Sequence, residues 1–209
     1  MTKTAVVSTK VTLTRSLKLA PIVGVVLLCC LNGFLMFRPK KPTRLLLACF
    51  ILTSFIGCDQ ATKHYATNNL KDAAPQSYFG DTVRLEYALN SGGFLSLGST
   101  LSPNTRFYIF VGFNLFFMTA LIIFLLFNWN SRLAFFVPLT YILAGGIGNL
   151  IDRTTNSGLV TDFLNLGIGP VRTGIFNVAD VGVMFGAIVL FLIALKEPTD
   201  DKNPAADAV

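Results

Sequence analysis

The sequence predicts a mainly α-helical membrane protein: a four-helix transmembrane bundle with a small extracytoplasmic sheet and an extra apolar segment at the N-terminus. Three observations carry this reading. Of 209 residues, 53% are hydrophobic and only 13% charged, about half the charged fraction of ordinary soluble domains. Four apolar runs after residue 44 each approach the ~20 residues an α-helix needs to cross a hydrocarbon core. Between two of them lies Val83-Arg-Leu-Glu-Tyr-Ala-Leu89, whose alternation suits a half-buried strand.

Residues 1–18 are polar and mildly basic, rich in Thr and Ser, and read as disordered. Leu19–Phe37 is apolar, broken mainly by Pro21 and Asn32, and just long enough to span. A basic knot, Arg38-Pro-Lys-Lys-Pro-Thr-Arg44, follows and is expected to stay cytoplasmic. The second run is apolar from Leu45 to Cys58 and keeps helical character to Ala66. Phe107–Phe127, Leu133–Leu150 and Ile175–Leu195 complete the set, before a charged tail from Lys196 to Val209. The expected organisation is an N-terminal extension (1–43), a membrane domain (44–196) and the tail (197–209).

With Arg38–Arg44 inside, the link containing Arg132 and the tail also fall inside, which leaves 67–106 and 151–174 outside. In the first of these, Phe94-Leu-Ser-Leu97 is expected to pair with the 83–89 strand through Asn90-Ser-Gly-Gly93. The run at 19–37 has three readings. It is a fifth span, placing Lys3, Lys10, Arg15 and Lys18 outside, or an interfacial helix, or a segment ahead of a true start at Met36.

Net charge is +6, and cytoplasmic Lys and Arg explain it. A nucleic-acid partner is not expected, because no continuous basic face with interleaved aromatics is visible. The cysteines, Cys29, Cys30, Cys49 and Cys58, lie in or at the end of apolar runs with no CxxC pair, and read as small hydrophobes. His64 is the only histidine, which leaves little for a zinc or Ser-His-Asp site.

Polar residues within apolar spans are costly and therefore functional candidates. Here they gather at the outer ends. Asp59 and Lys63 share a helix face four residues apart. Asn149, Asp152 and Arg153 align at i, i+3 and i+4 behind Gly145, Gly146 and Gly148, which allow close backbone approach. Asp162 lies in an extended or loop segment, and Asp180 in the first turns of the last helix, one turn after Asn177. Two such acids brought together would share a proton. One would then act as base on a water while the other polarises a carbonyl. On these grounds alone two alternatives stay open: Asp162 caps a turn, and Asp180 pairs with Arg153.

Asp59-Gln-x-x-Lys63, Asn90-x-Gly92, Gly145-Gly-x-Gly-Asn149-x-x-Asp152-Arg153, Val160-Thr-Asp162-Phe163 and Phe176-Asn177-x-Ala179-Asp180 together resemble the ordered motifs of the lipoprotein signal peptidases (signal peptidase II). The resemblance covers residues 45–195. It implies four membrane helices with an extracytoplasmic β-cradle in the bacterial cytoplasmic (inner) membrane. It also implies aspartyl endopeptidase cleavage of diacylglyceryl-modified prolipoproteins just before the lipid-bearing Cys. The catalytic acids would be Asp162 and Asp180. The supporting residues would be Asp59, Lys63, Asn90, Gly92, Asn149, Asp152, Arg153 and Asn177, with Asn90 and Arg153 holding substrate backbone and Asn149 and Asn177 orienting the acids. No metal or organic cofactor is implied. The expected partners are lipidated prolipoproteins and membrane lipids, and the expected state is a monomer. The chain departs from the family pattern at Gly93-Phe94-Leu95, at Thr161 and in the glycine-rich Gly167–Gly174 loop.

Two other classes compete. Phe55-Ile-Gly-Cys58 mimics a lipoprotein signal, but three later spans make a lipid anchor redundant. A proton-relaying transporter predicts acids spread through the membrane depth, whereas here they collect at the outer ends.

Overall fold

The computed structural model describes residues 39–92 and 101–196. The apolar run at 19–37, the expected strand at 94–97 and the tail from 197 lie outside the described residues. Among the described residues four helices are long and apolar enough to cross a membrane: α1 (Lys41–Asn69), α2 (Pro103–Phe127), α3 (Leu133–Thr155) and α4 (Val178–Lys196). Their outer surfaces are apolar, with Phe113, Phe116 and Phe127 on α2 and Phe191 and Leu195 on α4 all exposed, as a lipid-facing surface should be.

Helix ends differ from the hydropathy boundaries where capping takes over. α1 begins four residues before Leu45, with Pro42 in its first turn, a position where no intrahelical N–H is required. α2 begins before Phe107 because the Ser102 hydroxyl accepts the Thr105 N–H at 3.3 Å, an N-cap bond. α3 continues five residues beyond Leu150, so Asn149, Asp152 and Arg153 all stand on regular helix.

α3 is the central helix, the most buried of the four, and packs against α1, α2 and α4. Met118, Leu121 and Leu125 of α2 interlock there with Phe136 and Leu143 of α3. Close approach depends on glycine. A Cβ at Gly145 would collide with the Ala179 carbonyl oxygen of α4, and one at Gly148 would sit 2.6 Å from Asp59 Oδ2 of α1.

The basic knot ends in a buried residue. Arg44 is 1% exposed. Its guanidinium donates to the carbonyls of Trp129 and Ser131 and lies 4.9 Å from the Phe136 ring centre. It thus joins the start of α1 to the α2–α3 link, since a planar fork can serve two carbonyls and a ring together.

The two segments read as lying on the outer side supply one four-stranded antiparallel sheet: β1 (Gln76–Tyr78), β2 (Val83–Asn90), β3 (Val160–Ile168) and β4 (Val171–Arg172), in that order. The strand at 83–89 forms as expected. Among the described residues its neighbours are β1 and β3. Beneath the sheet, Phe163 packs with Ala66 and Leu70 at the end of α1.

At the far tip, Phe79, Gly80 and Asp81 turn with φ of 52°, 62° and 68°. Asp81 accepts two bonds from Arg84, at 2.6 and 2.5 Å, while Arg172 of β4 donates to its carbonyl at 2.7 Å. The Arg84 bonds in particular hold the Asp81 carboxyl well below the usual carboxylate range.

Candidate active site

The register of β2 on β3 sets the first acid. Ala88 lies opposite Asp162 and Asn90 opposite Val160, after a bulge between Leu85 and Ala88. Bulges re-aim side chains, and Asp162 points inward, only 2% exposed. The second acid is brought to it by a short backbone clasp. Phe176 and Leu164 exchange N–H···O bonds, each 2.8 Å, which delivers the start of α4 alongside β3.

That start is closed reciprocally. The Asp180 N–H donates to Asn177 Oδ1 at 3.0 Å, and the Asn177 N–H donates to Asp180 Oδ2 at 3.2 Å. This is the capping-box arrangement with an aspartate in the third position. Asn177, fully buried, then reaches across: its Nδ2 donates to Asp162 Oδ1 at 2.6 Å. Asn149 of α3 completes the bridge, its Nδ2 donating to Asp180 Oδ1 at 2.9 Å. Asp162 and Asp180 thus share one asparagine-lined site. Burial pushes the Asp162 carboxyl up to about 6, and the charge of Asp180 adds to the effect; the Asn177 and Asn90 amides and Lys63 oppose it.

Behind the two acids lies a buried ionic cluster. The Lys63 ammonium stands 2.9 Å from Asp59 Oδ2 and 3.3 Å from Asp152 Oδ2, and donates to Asn149 Oδ1 at 3.0 Å. Asp59 also accepts the Ala179 N–H at 2.8 Å and Asp152 the Thr161 N–H at 2.9 Å. Each carboxylate therefore pins a segment that carries one of the two acids, Asp59 the start of α4 and Asp152 the strand β3. A solvated helix-end ion pair is not what forms at Asp59 and Lys63, which are 0% and 4% exposed.

Arg153 belongs to a third group. Its Nη2 donates to the Gly92 carbonyl at 2.9 Å, its guanidinium lies over Phe110 of α2, and its Nε is buried without a partner among the described residues. Gly92 in turn donates its N–H to Asn90 Oδ1 at 3.0 Å.

All the residues singled out from the sequence therefore converge on one end of the bundle. The alternatives left open there do not form. Asp162 lies within β3 and not at a turn cap, and among the described residues no ion pair joins Asp180 to Arg153. Gln60 was not singled out. Its Nε2 donates to Asp152 Oδ1 at 3.0 Å, to Asp59 Oδ2 at 3.1 Å and to the Gly148 carbonyl at 3.2 Å. The one hint was its place beside Asp59 in the first motif. The Thr161 and Ala179 contributions come from backbone N–H groups, which carry no side-chain signature.

Comparison with known proteins shows the family and the fold. The family model described as signal peptidase (SPase) II matches residues 50–196. The lipoprotein signal peptidase of Chlorobium phaeobacteroides is 32% identical over 152 residues, spanning 68% of this chain and 87% of that relative. That of Mycolicibacterium smegmatis is 32% identical over 190 residues, spanning 82% and 74%. A bacterial membrane enzyme solved by the in meso method at 2.3 Å resolution superimposes with a TM-score of 0.65, covering 79% of this chain and 95% of that one. At 24% identity this last likeness is one of fold.

Proposed function

This chain belongs to the signal peptidase II family of aspartic membrane proteases, and on that premise we propose that Asp162 and Asp180 are its catalytic pair. As a lipoprotein signal peptidase and multi-pass membrane protein, it removes signal peptides from prolipoproteins. The finer reading is that it cuts diacylglyceryl-modified precursors immediately before the lipid-bearing Cys, working as a monomer in the bacterial inner membrane with its site on the extracytoplasmic side.

The observation that carries the dyad is the asparagine bridge: Asn177 donates to Asp162 at 2.6 Å and Asn149 to Asp180 at 2.9 Å. Two carboxyls held in one buried site do not both ionise readily. Burial favours the protonated form at Asp162. Asp162 therefore donates a hydrogen bond to the scissile carbonyl oxygen, and Asp180 takes a proton from the attacking water. The water oxygen bonds to the carbonyl carbon, and Asp180 passes the proton it took to the departing amine as the C–N bond breaks. Arg153 Nε, a buried donor with no partner among the described residues, is suited to a substrate carbonyl. Asn90 and Gly92 line the same edge.

The test is cleavage of a lipidated precursor in membranes. Asp162→Asn and Asp180→Asn should each abolish it while the protein remains at wild-type abundance. Near wild-type cleavage by either variant would sink the dyad assignment.

A further inference from the structure

Neither asparagine at the site is free to choose its orientation. An ammonium only donates, so the atom 3.0 Å from Lys63 Nζ must be the Asn149 oxygen. Asn177 Nδ2 donates to that same oxygen at 3.2 Å. With Oδ1 committed twice, the Asn149 N–H can face only Asp180. Lys63 is itself immobile. Its three N–H groups meet three acceptors, Asp59 Oδ2, Asp152 Oδ2 and Asn149 Oδ1.

We propose that Lys63 is a positioning residue of the catalytic pair: by claiming the Asn149 carbonyl it turns the Asn149 N–H onto Asp180. This rests on the reading of Asp162 and Asp180 as the dyad. Without Lys63 only the longer Asn177 bond, at 3.2 Å, opposes a flip that would set the Asn149 oxygen against the Asp180 carboxylate. Lone pairs would then face lone pairs, and the carboxylate would lose a donor that helps fix it for the attacking water. The ionisable groups around Asp180 are Asp162 on β3, Arg153 and Asp152 on α3, and Asp59 and Lys63 on α1. Of these, Lys63 holds the side-chain oxygen of Asn149, whose amide N–H donates to Asp180.

A double-mutant cycle on purified enzyme with a lipidated precursor tests this. Lys63→Met and Asn149→Ala should each lower kcat by roughly 10- to 100-fold, the worth of one charge-assisted hydrogen bond, with KM nearly unchanged. Together they should be no worse than the poorer single variant, because both remove the same contact. Since Lys63→Met leaves Asp59 and Asp152 facing one another, the cycle is repeated in an Asp59→Asn background. Lys63→Gln, which keeps an N–H for Asn149, should recover most of kcat. Multiplying losses, a rise in KM at constant kcat, or a Gln variant as poor as Met would each overturn the relay. An active Asp180→Asn enzyme would instead overturn the dyad beneath it, so the two failures are distinguishable.

Discussion

Replacing Asp162 by Asn should abolish activity and yet stabilise the protein above neutral pH. The carboxyl titrates at about 6 in the fold, against an ordinary 3.8. A folded-state value raised in this way favours folding while the acid is protonated, and the benefit is lost as pH rises from about 4 through about 6. At roughly 1.4 kcal/mol per pH unit, ionising Asp162 inside the fold costs on the order of 3 kcal/mol. Asparagine keeps an oxygen for the Asn177 amide and carries no charge, so it escapes that cost. The assay is unfolding of purified wild-type and variant protein in detergent micelles from pH 4 to 8. The variant's advantage should be absent near pH 4, grow through pH 6, and level off by about pH 7. A difference independent of pH, or a variant less stable at pH 8, would refute the account of Asp162 as a buried acid held near neutrality. Because the Asp180 charge is the second cause of the shift, Asp180→Asn should move the wild-type transition toward lower pH.

Three further outcomes follow from packing. Gly148→Ala should cost about 1–3 kcal/mol of stability, since the new methyl meets Asp59 Oδ2 at 2.6 Å and the Ala179 Cβ at 3.3 Å in a site with no slack; kcat should fall with it, and wild-type unfolding would contradict the tight α1–α3 contact. Arg44→Ala should lower stability by about 2 kcal/mol or more, because it strips two carbonyls of their donor and removes a cation from the Phe136 face. The cleavage rate per folded molecule should hold, since Arg44 lies at the opposite end from the dyad. Arg172→Ala should loosen the sheet tip by removing its bond to the Asp81 carbonyl and its ion pair with the carboxylate that Arg84 still holds, an effect seen as faster amide exchange in β4 and weakened by salt, as expected for a partly exposed contact.

Much of the architecture was legible in the residues. Apolar run length marks a membrane helix because only a helix satisfies its own backbone in lipid, and all four expected spans from Leu45 onward appear. The 83–89 strand was legible from alternation. What alternation could not supply was a partner: β2 pairs with β3, seventy or more residues away, a choice made by tertiary contact and not by local sequence. Arg44 shows the same limit, since a basic residue beside a span reads as a topology signal and only packing reveals the carbonyls waiting for it.

The sequence by itself determined that this is a membrane protein with its costly polar residues at one end of the spans. It also identified the family, through motifs whose order survives over the whole membrane domain. On residue chemistry alone, however, Asp162 with Asp180 was one candidate pair among the acids at the outer ends, and the family resemblance chose Asp162 over Asp152. Tertiary structure separates their surroundings. Asp152 is taken up by Lys63, Gln60 and the Thr161 N–H, whereas Asp162 receives neutral amide donors and faces the charge of Asp180. An ion-paired carboxylate is settled in its charge, and a buried one beside another acid is not. That difference depends on distances between α1, α3, α4 and β3, which no reading along one chain contains.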